Sequence, residues 1–184
     1  EEALDLTLSW TTCGGIGGWR VPNIVELLSL SSYGTDARPP VGIGYYSWSG
    51  TTNQGETESA WVGYDSGRDI GMASAKKTGT NYATFVRGSG GLVLLPQTGQ
   101  TVSYHSLDDG ALKQGTAWPT PRFTDNLDTT FTDQLTGIRW YKEVTAGWWG
   151  GVLNSAKSKN DQNYLCSNQW AVPNINELRS LFDY

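Results

Sequence analysis

The chain has 184 residues, 38% hydrophobic and 17% charged, with 23 glycines, 9 tryptophans, 9 tyrosines and a formal net charge of -5. That length holds one domain or two small ones, and low charge with abundant glycine and aromatics points to a loop-rich, β-rich protein. The acidic balance argues against nucleic acid and against an electrostatic hold on anionic lipid, since both need Lys and Arg to meet phosphates, and no apolar run reaches the 18 residues that suggest a membrane span.

In chain order, residues 1–9 read as a short helix. Glu1-Glu2-Ala3-Leu4 looks like the middle of a helix, so further sequence upstream is expected; no basic-then-apolar signal peptide opens the chain. Gly14-Gly15-Ile16-Gly17-Gly18 neither follows a strand nor opens a helix, so it reads as a loop before Trp19 and not as a nucleotide-binding turn. Trp19-Arg20-Val21-Pro22 is extended. Asn23 is then a helix cap, and Glu26, three residues on, completes a capping-box pattern. Ile24, Leu27 and Leu28 follow on one helical face.

Short strands are expected over 45–49, 60–64, 68–73 and 82–87, with a turn at Asp65-Ser66-Gly67. Leu92–Leu95 reads as another strand. It runs into Leu95-Pro96-Gln97-Thr98-Gly99, which fits the LPxTG pattern of sortase anchoring signals. Such a signal needs an apolar stretch and a basic tail directly after it. Here Gln100-Thr101-Val102-Ser103-Tyr104-His105 follows, and the chain continues to residue 184. The segment therefore reads as a proline-led turn closed by Gly99. Residues from about 97 to 121 show little periodicity and read as a linker or arm. A hairpin is expected from 122–125 and 130–133, a strand over 138–142 and a helix over about 150–159.

The chain repeats itself. GGWRVPNIVELLSL (17–30) returns as SNQWAVPNINELRSL (167–181), and Trp19, Pro22, Asn23 and Glu26 map to Trp170, Pro173, Asn174 and Glu177 at a constant offset of 151. Ile175, Leu178 and Phe182 form the second apolar face. A period that long points to tandem domains, not to a solenoid. Each copy has a plain structural reading, in which the Trp plugs a core and the helix covers it.

Trp19-Arg20-Val21-Pro22-Asn23-x-x-Glu26-Leu27, Tyr-Tyr-Ser-Trp-Ser (45–49), Ala-Trp-Val-x-Tyr-x-x-Gly-Arg (60–68) and Phe-Val-Arg-Gly (85–88) resemble the second half of the Lcl C-terminal domain family, named for a bacterial collagen-like adhesin. Arg122-Phe-Thr-Asp-Asn through Trp140 resembles the first half of the same domain. The likeness covers nearly the whole chain, with the halves in reversed order. It implies an α+β, C-type-lectin-like fold of small antiparallel sheets, short helices and long loops. It divides the chain into residues 1–90 (the second half of one module), 91–121 (a linker or arm) and 122–184 (the first half of the next). The halves would complete one another within a chain or between chains. The resemblance also implies an extracellular adhesion role, including glycosaminoglycan binding by the founding member; the acidic balance is a poor match for a sulfated polyanion. Family members often carry a cysteine just before Val-Arg-Gly, pairing with the one before Trp-Arg. This chain has Phe85 there, so Cys13 is either free or paired with Cys166.

No catalytic site is expected. His105 is the only histidine, and no nucleophile or metal-ligand spacing surrounds it. Asp125, Asp128 and Asp133 lack the bidentate Glu and the Gly of a Ca²⁺ loop and read as hairpin residues. Asp108-Asp109-Gly110 reads as a turn. No metal and no cofactor are expected. The ligand candidates are aromatic, since aromatic faces stack on sugar rings, although aromatics in small β-rich domains more often fill cores. They are Tyr46, Trp48 and Trp61 in one half and Trp149, beside Trp148, in the other. Arg68 and Arg87, with Arg20, are candidates for a cationic patch. The expected function is a non-enzymatic module, extracellular or at the cell surface, for adhesion or ligand binding, with glycans as the candidate ligand class. The alternative is a subunit that assembles with other copies of itself into a filament or surface layer by inter-chain domain completion.

Overall fold

The computed structural model describes Leu4 and residues 18–31, 45–65, 70–87 and 94–184. The expected helix over 1–9 apart from Leu4, the Gly14–Gly18 loop up to Gly17 and the first half of the strand over 92–95 lie outside the described residues. The chain forms two compact units, Glu1–Trp118 with Asp183–Tyr184, and Pro119–Phe182. Both mix small sheets with short helices. No helix among the described residues is long and apolar enough to cross a membrane.

The first unit contains β1 (Trp19–Arg20), α1 (Ile24–Ser29), β2 (Ser47–Thr52), β3 (Ser59–Asp65), β4 (Ile70–Lys76), β5 (Tyr82–Ala83), β6 (Val86–Arg87) and α2 (Asp109–Leu112). Four strands form a sheet in the order β4-β3-β2-β5, and β1 pairs with β6 as a separate ribbon. The single strand expected over 82–87 is two: β5 runs parallel to β2, while β6 runs antiparallel to β1. Thr84 and Phe85 carry the chain from one sheet to the other, a change that alternating hydrophobicity does not reveal.

Helix α1 lies on this sheet. Asn23 caps it, taking the Glu26 N–H at 2.9 Å while the Glu26 carboxylate takes the Asn23 N–H at 2.9 Å. Arg20 holds that carboxylate through two bonds of 2.6 and 2.5 Å. Ile24 and Leu27 are fully buried. Each contributes about 1.5–3 kcal/mol of hydrophobic stabilisation. Gly63 on β3 makes the close approach possible, because a Cβ there would sit 3.3 Å from Leu27 Cδ1. Ile24 and Leu28 share a core with Ile70 and Tyr184, flanked by Val25, Leu30, Trp61 and Met72.

Residues 94–118, expected as a linker or arm, belong to the first unit. Pro96 bridges to Thr116, with the Gln97 N–H on Thr116 O at 2.9 Å and the Thr116 N–H on Leu95 O at 2.8 Å. Thr98 and Gln100 are buried. The LPxTG stretch is thus a paired, partly buried segment and not a free turn. Its attachments are polar side chains, which leave no hydrophobic period to read.

The second unit contains β7 (Phe123–Asp125), β8 (Thr130–Asp133), β9 (Arg139–Tyr141), α3 (Trp149–Asp161), a 3-10 turn (Tyr164–Cys166) and α4 (Ile175–Ser180). The strands form an antiparallel meander in the order β7-β8-β9, matching the expected hairpin and following strand. This unit buries no apolar side chain; its buried side chains are Arg122, Thr130 and Asp133. Arg122 Nε and Nη2 reach the Asp133 carboxylate at 3.2 and 3.3 Å, and Arg122 also donates to Ser180 O. Tyr141, Tyr164 and Trp170 meet with centroids 5.9 to 6.2 Å apart. Lys159 Nζ stands 4.0 Å from the Tyr141 centroid and 4.2 Å from that of Tyr164, a cation–π arrangement.

Candidate functional site

The cap residues of α1 anchor a buried polar clamp in the first unit. Thr51 on β2 accepts the Ile24 N–H at 3.0 Å and donates to Asp109 Oδ2 at 3.2 Å. Thr98 donates to the same oxygen. Asn23 Nδ2 donates to Asp109 Oδ1 at 3.5 Å and to Gln114 O at 3.3 Å. One carboxylate therefore ties strand, helix cap and arm together. Burial raises its pKa above the ordinary value, against the lowering effect of the bonds from Thr98, Thr51 and Asn23. The neighbouring Asp108 caps α2. Its oxygens accept from Ala111 N at 2.9 Å, Tyr104 N at 2.7 Å, Gln100 Nε2 at 3.0 Å and His105 N at 3.2 Å. Gln100 Oε1 in turn takes the Thr52 N–H at 2.7 Å. The expected Asp108-Asp109-Gly110 turn is instead the start of α2. Gly110 fits where a Cβ would come within 2.3 Å of Val102 O.

This clamp fixes one wall of a cleft of about 500 Å³, whose lining includes Trp48, Lys77, Asn81, Phe85, Tyr104 and His105. That volume lies within the usual range for small-molecule sites. Lys77 Nζ lies 4.9 Å from the Tyr104 ring centroid and donates to Thr57 O at 2.8 Å. His105 Nδ1 accepts the Leu107 N–H at 3.2 Å, which leaves the proton of the neutral ring on Nε2. The wall thus offers aromatic faces, a cation and amide groups.

The other candidates are scattered. Tyr46 stacks edge-on with Tyr45 at 4.9 Å and contacts Tyr64 at 5.9 Å. Trp61 packs beside the core, with its ring 6.3 Å from Tyr184, and its buried indole N–H has no hydrogen-bond partner among the described residues. Neither lines the cleft, and Trp61 has the structural role open to a β-sheet aromatic. Arg87 lies over the Trp19 ring at 5.2 Å. Arg68 and Cys13 fall outside the described residues. Cys166 is a free, exposed thiol. Trp149 is 79% exposed beside Trp148 at 76%, at the start of α3. Of the second repeat, Trp170 donates its indole N–H to Tyr164 O at 2.9 Å, Pro173 is half-buried, and Asn174 with Glu177 closes a second capping box.

Lys77, Asn81 and Tyr104 escaped the sequence reading. They are distant in the chain and join Trp48 only once the arm packs beside β2 and β5. The one available signal was Tyr104 itself, an aromatic inside an otherwise polar stretch. The hairpin carboxylates are each paired with a cation: Asp125 with Lys142 at 2.5 Å, Asp128 with Arg139, and Asp133 with Arg122. Among the described residues no group of three or more His, Cys, Asp or Glu side chains is placed to hold a metal ion. No protein-family model, curated protein or solved structure matches this chain.

Proposed function

We propose that the chain is a non-enzymatic repeat module of an extracellular or cell-surface protein, related to the Lcl C-terminal domain family and of C-type-lectin-like fold, that binds a glycan in adhesion. The cleft carries this reading. It sets Trp48 and Tyr104, whose faces can stack on a sugar ring, beside Lys77 and Asn81, which can reach hydroxyls. The saturated bonding of Asp108 supports a structural use for that carboxylate in place of proton transfer. A glycan array tests the reading. Saturable binding that Trp48→Ala abolishes is the expected result. A full array with no saturable signal would refute it.

A second reading, assembly of copies into a filament or surface layer, is favoured by one observation. The apolar face of α4 is partly exposed, while its α1 counterpart is buried. Exposed apolar patches are a common mark of interaction sites. Negative-stain images of the purified chain should then show long filaments; isolated particles at all concentrations would exclude assembly of this chain alone.

A further inference from the structure

The two repeat helices fold alike and are buried unalike. Asn23 has φ -72° and ψ 170°, Asn174 has φ -74° and ψ 169°, and both close a full capping box. Val21, Ile24 and Leu27 are 3%, 0% and 0% exposed, whereas their counterparts Val172, Ile175 and Leu178 are 37%, 43% and 41% exposed. Phe182 extends the second face at 55%. The unit that carries it has no buried apolar side chain. That is an unfavourable state for 64 residues, Pro119–Phe182, because a unit so small is marginal even with a core.

What covers such a face is visible on α1: strands β2 to β4, together with the Thr98–Gln114 arm that clamps Asn23 through Asp109. We propose that the α4 face is the docking surface for a second copy of this chain's own sheet-and-arm segment, residues 45–118, seated as the first copy is seated on α1. This rests on the repeat-module reading. Two features support that occupant. The cap and the first buried positions keep their identity, Val, Pro, Asn, Ile, Glu and Leu recurring at an offset of 151. Asn174 also presents the amide that on Asn23 receives the clamp, and it makes no such bond. Exchange among identical chains cannot satisfy both helices, since each chain brings two helices and one cover. A further cover is therefore required. Two positions depart from the pattern: Asn176 stands where Val25 flanks the core, and Arg179 where Leu28 packs. The aliphatic stem of Arg179 is long enough to line the Leu28 site with the guanidinium at the rim once that face is covered.

The test supplies the cover in the same polypeptide. Tyr184 aligns with Tyr33 at the same offset, so residues 34–118 are fused directly after Tyr184 of the full chain. Amide hydrogen exchange is then followed over 172–182 in the fusion and in the parent chain, and again in a fusion carrying Arg179→Leu. Docking predicts that α4 amides slow by roughly tenfold or more. Ile175→Asp in the fusion should abolish that slowing while leaving α1 protection unchanged. Unaltered α4 exchange in both fusions would overturn the proposal. So would slowing that survives Ile175→Asp. Filament images of the parent chain report separately on assembly. Filaments with unprotected α4 sink the docking proposal alone, whereas protected α4 without filaments upholds it and sinks assembly of the parent chain.

Discussion

Ile24 and Ile175 occupy the same place in the same motif, so truncating each measures what cover is worth. Ile24 is 0% exposed and Ile175 is 43% exposed. Ile→Ala removes three carbons, which at about 0.8 kcal/mol each gives about 2.4 kcal/mol of lost transfer energy; the residual cavity raises this to about 3–4 kcal/mol at Ile24. At Ile175 no enclosed cavity forms, and alanine's better helix propensity offsets part of the loss, so the cost stays below about 1 kcal/mol. Two units need not melt as one transition. The assay is therefore calorimetry combined with hydrogen exchange read separately over 19–31 and 170–182. Ile24→Ala should lower the transition of the first unit by roughly 10 °C, and Ile175→Ala should move the second by little. Equal losses at the two sites would refute the argument, because they would mean that α4 is covered as α1 is.

Two of the buried carboxylates, Asp109 and Asp133, should respond to pH with opposite sign. Burial holds the Asp109 pKa above its unfolded value, so its contribution to stability is complete below about pH 3.9 and is lost as pH rises through the folded value. Thermal scans of wild type and Asp109→Asn across the acid range should show the wild-type advantage shrinking as pH rises. At Asp133 burial acts upward but is outweighed by Arg122, the Leu135 N–H and Thr136, leaving the pKa lowered. Its contribution is present above about pH 3.9 and is lost as pH falls through the folded value; Asp133→Asn should flatten that acid limb. Asp133→Ala leaves Arg122 buried without its ion-pair partner and should cost about 3–5 kcal/mol, lowering the 119–182 transition while the first unit holds. Finally, Thr98 is buried and donates to Asp109, so sortase with a glycine nucleophile should leave the folded chain uncut. Efficient cleavage after Thr98, seen by mass spectrometry, would contradict the packed arm.

Much of the architecture is local in origin and was legible for that reason. The capping boxes, the β3–β4 pairing and the β7–β8 hairpin depend on residues near each other in sequence. What escaped depends on distant polar contacts. Asp109, Thr98 and Thr51 are ordinary loop and strand residues until the fold joins them. The split of 82–87 follows from two sheets meeting, which neither strand encodes alone. For the candidate site, Trp48 was readable as an aromatic in a strand, but only the packed arm sets it beside Tyr104 and Lys77. Trp61, an equal candidate by type, turned out to flank the core. The placement of Trp148 and Trp149, exposed at a helix start, has no packing explanation within their unit.

The capping boxes carry a kinetic consequence. In α4 the Asn174 N–H meets Glu177 at 2.7 Å and the Glu177 N–H meets Asn174 at 3.0 Å, as tight as in α1, although its apolar face stays 41–55% exposed at Leu178, Ile175 and Phe182. The start of the helix is therefore set by four consecutive residues, while Arg122 holds its far end at Ser180 O. A partner that settles on that face meets a helix whose start is already ordered, so less freedom is lost there. Association then follows the rates of preorganised partners, about 10⁵–10⁷ M⁻¹s⁻¹, without a preceding folding step. Differences in affinity among such partners fall on their departure.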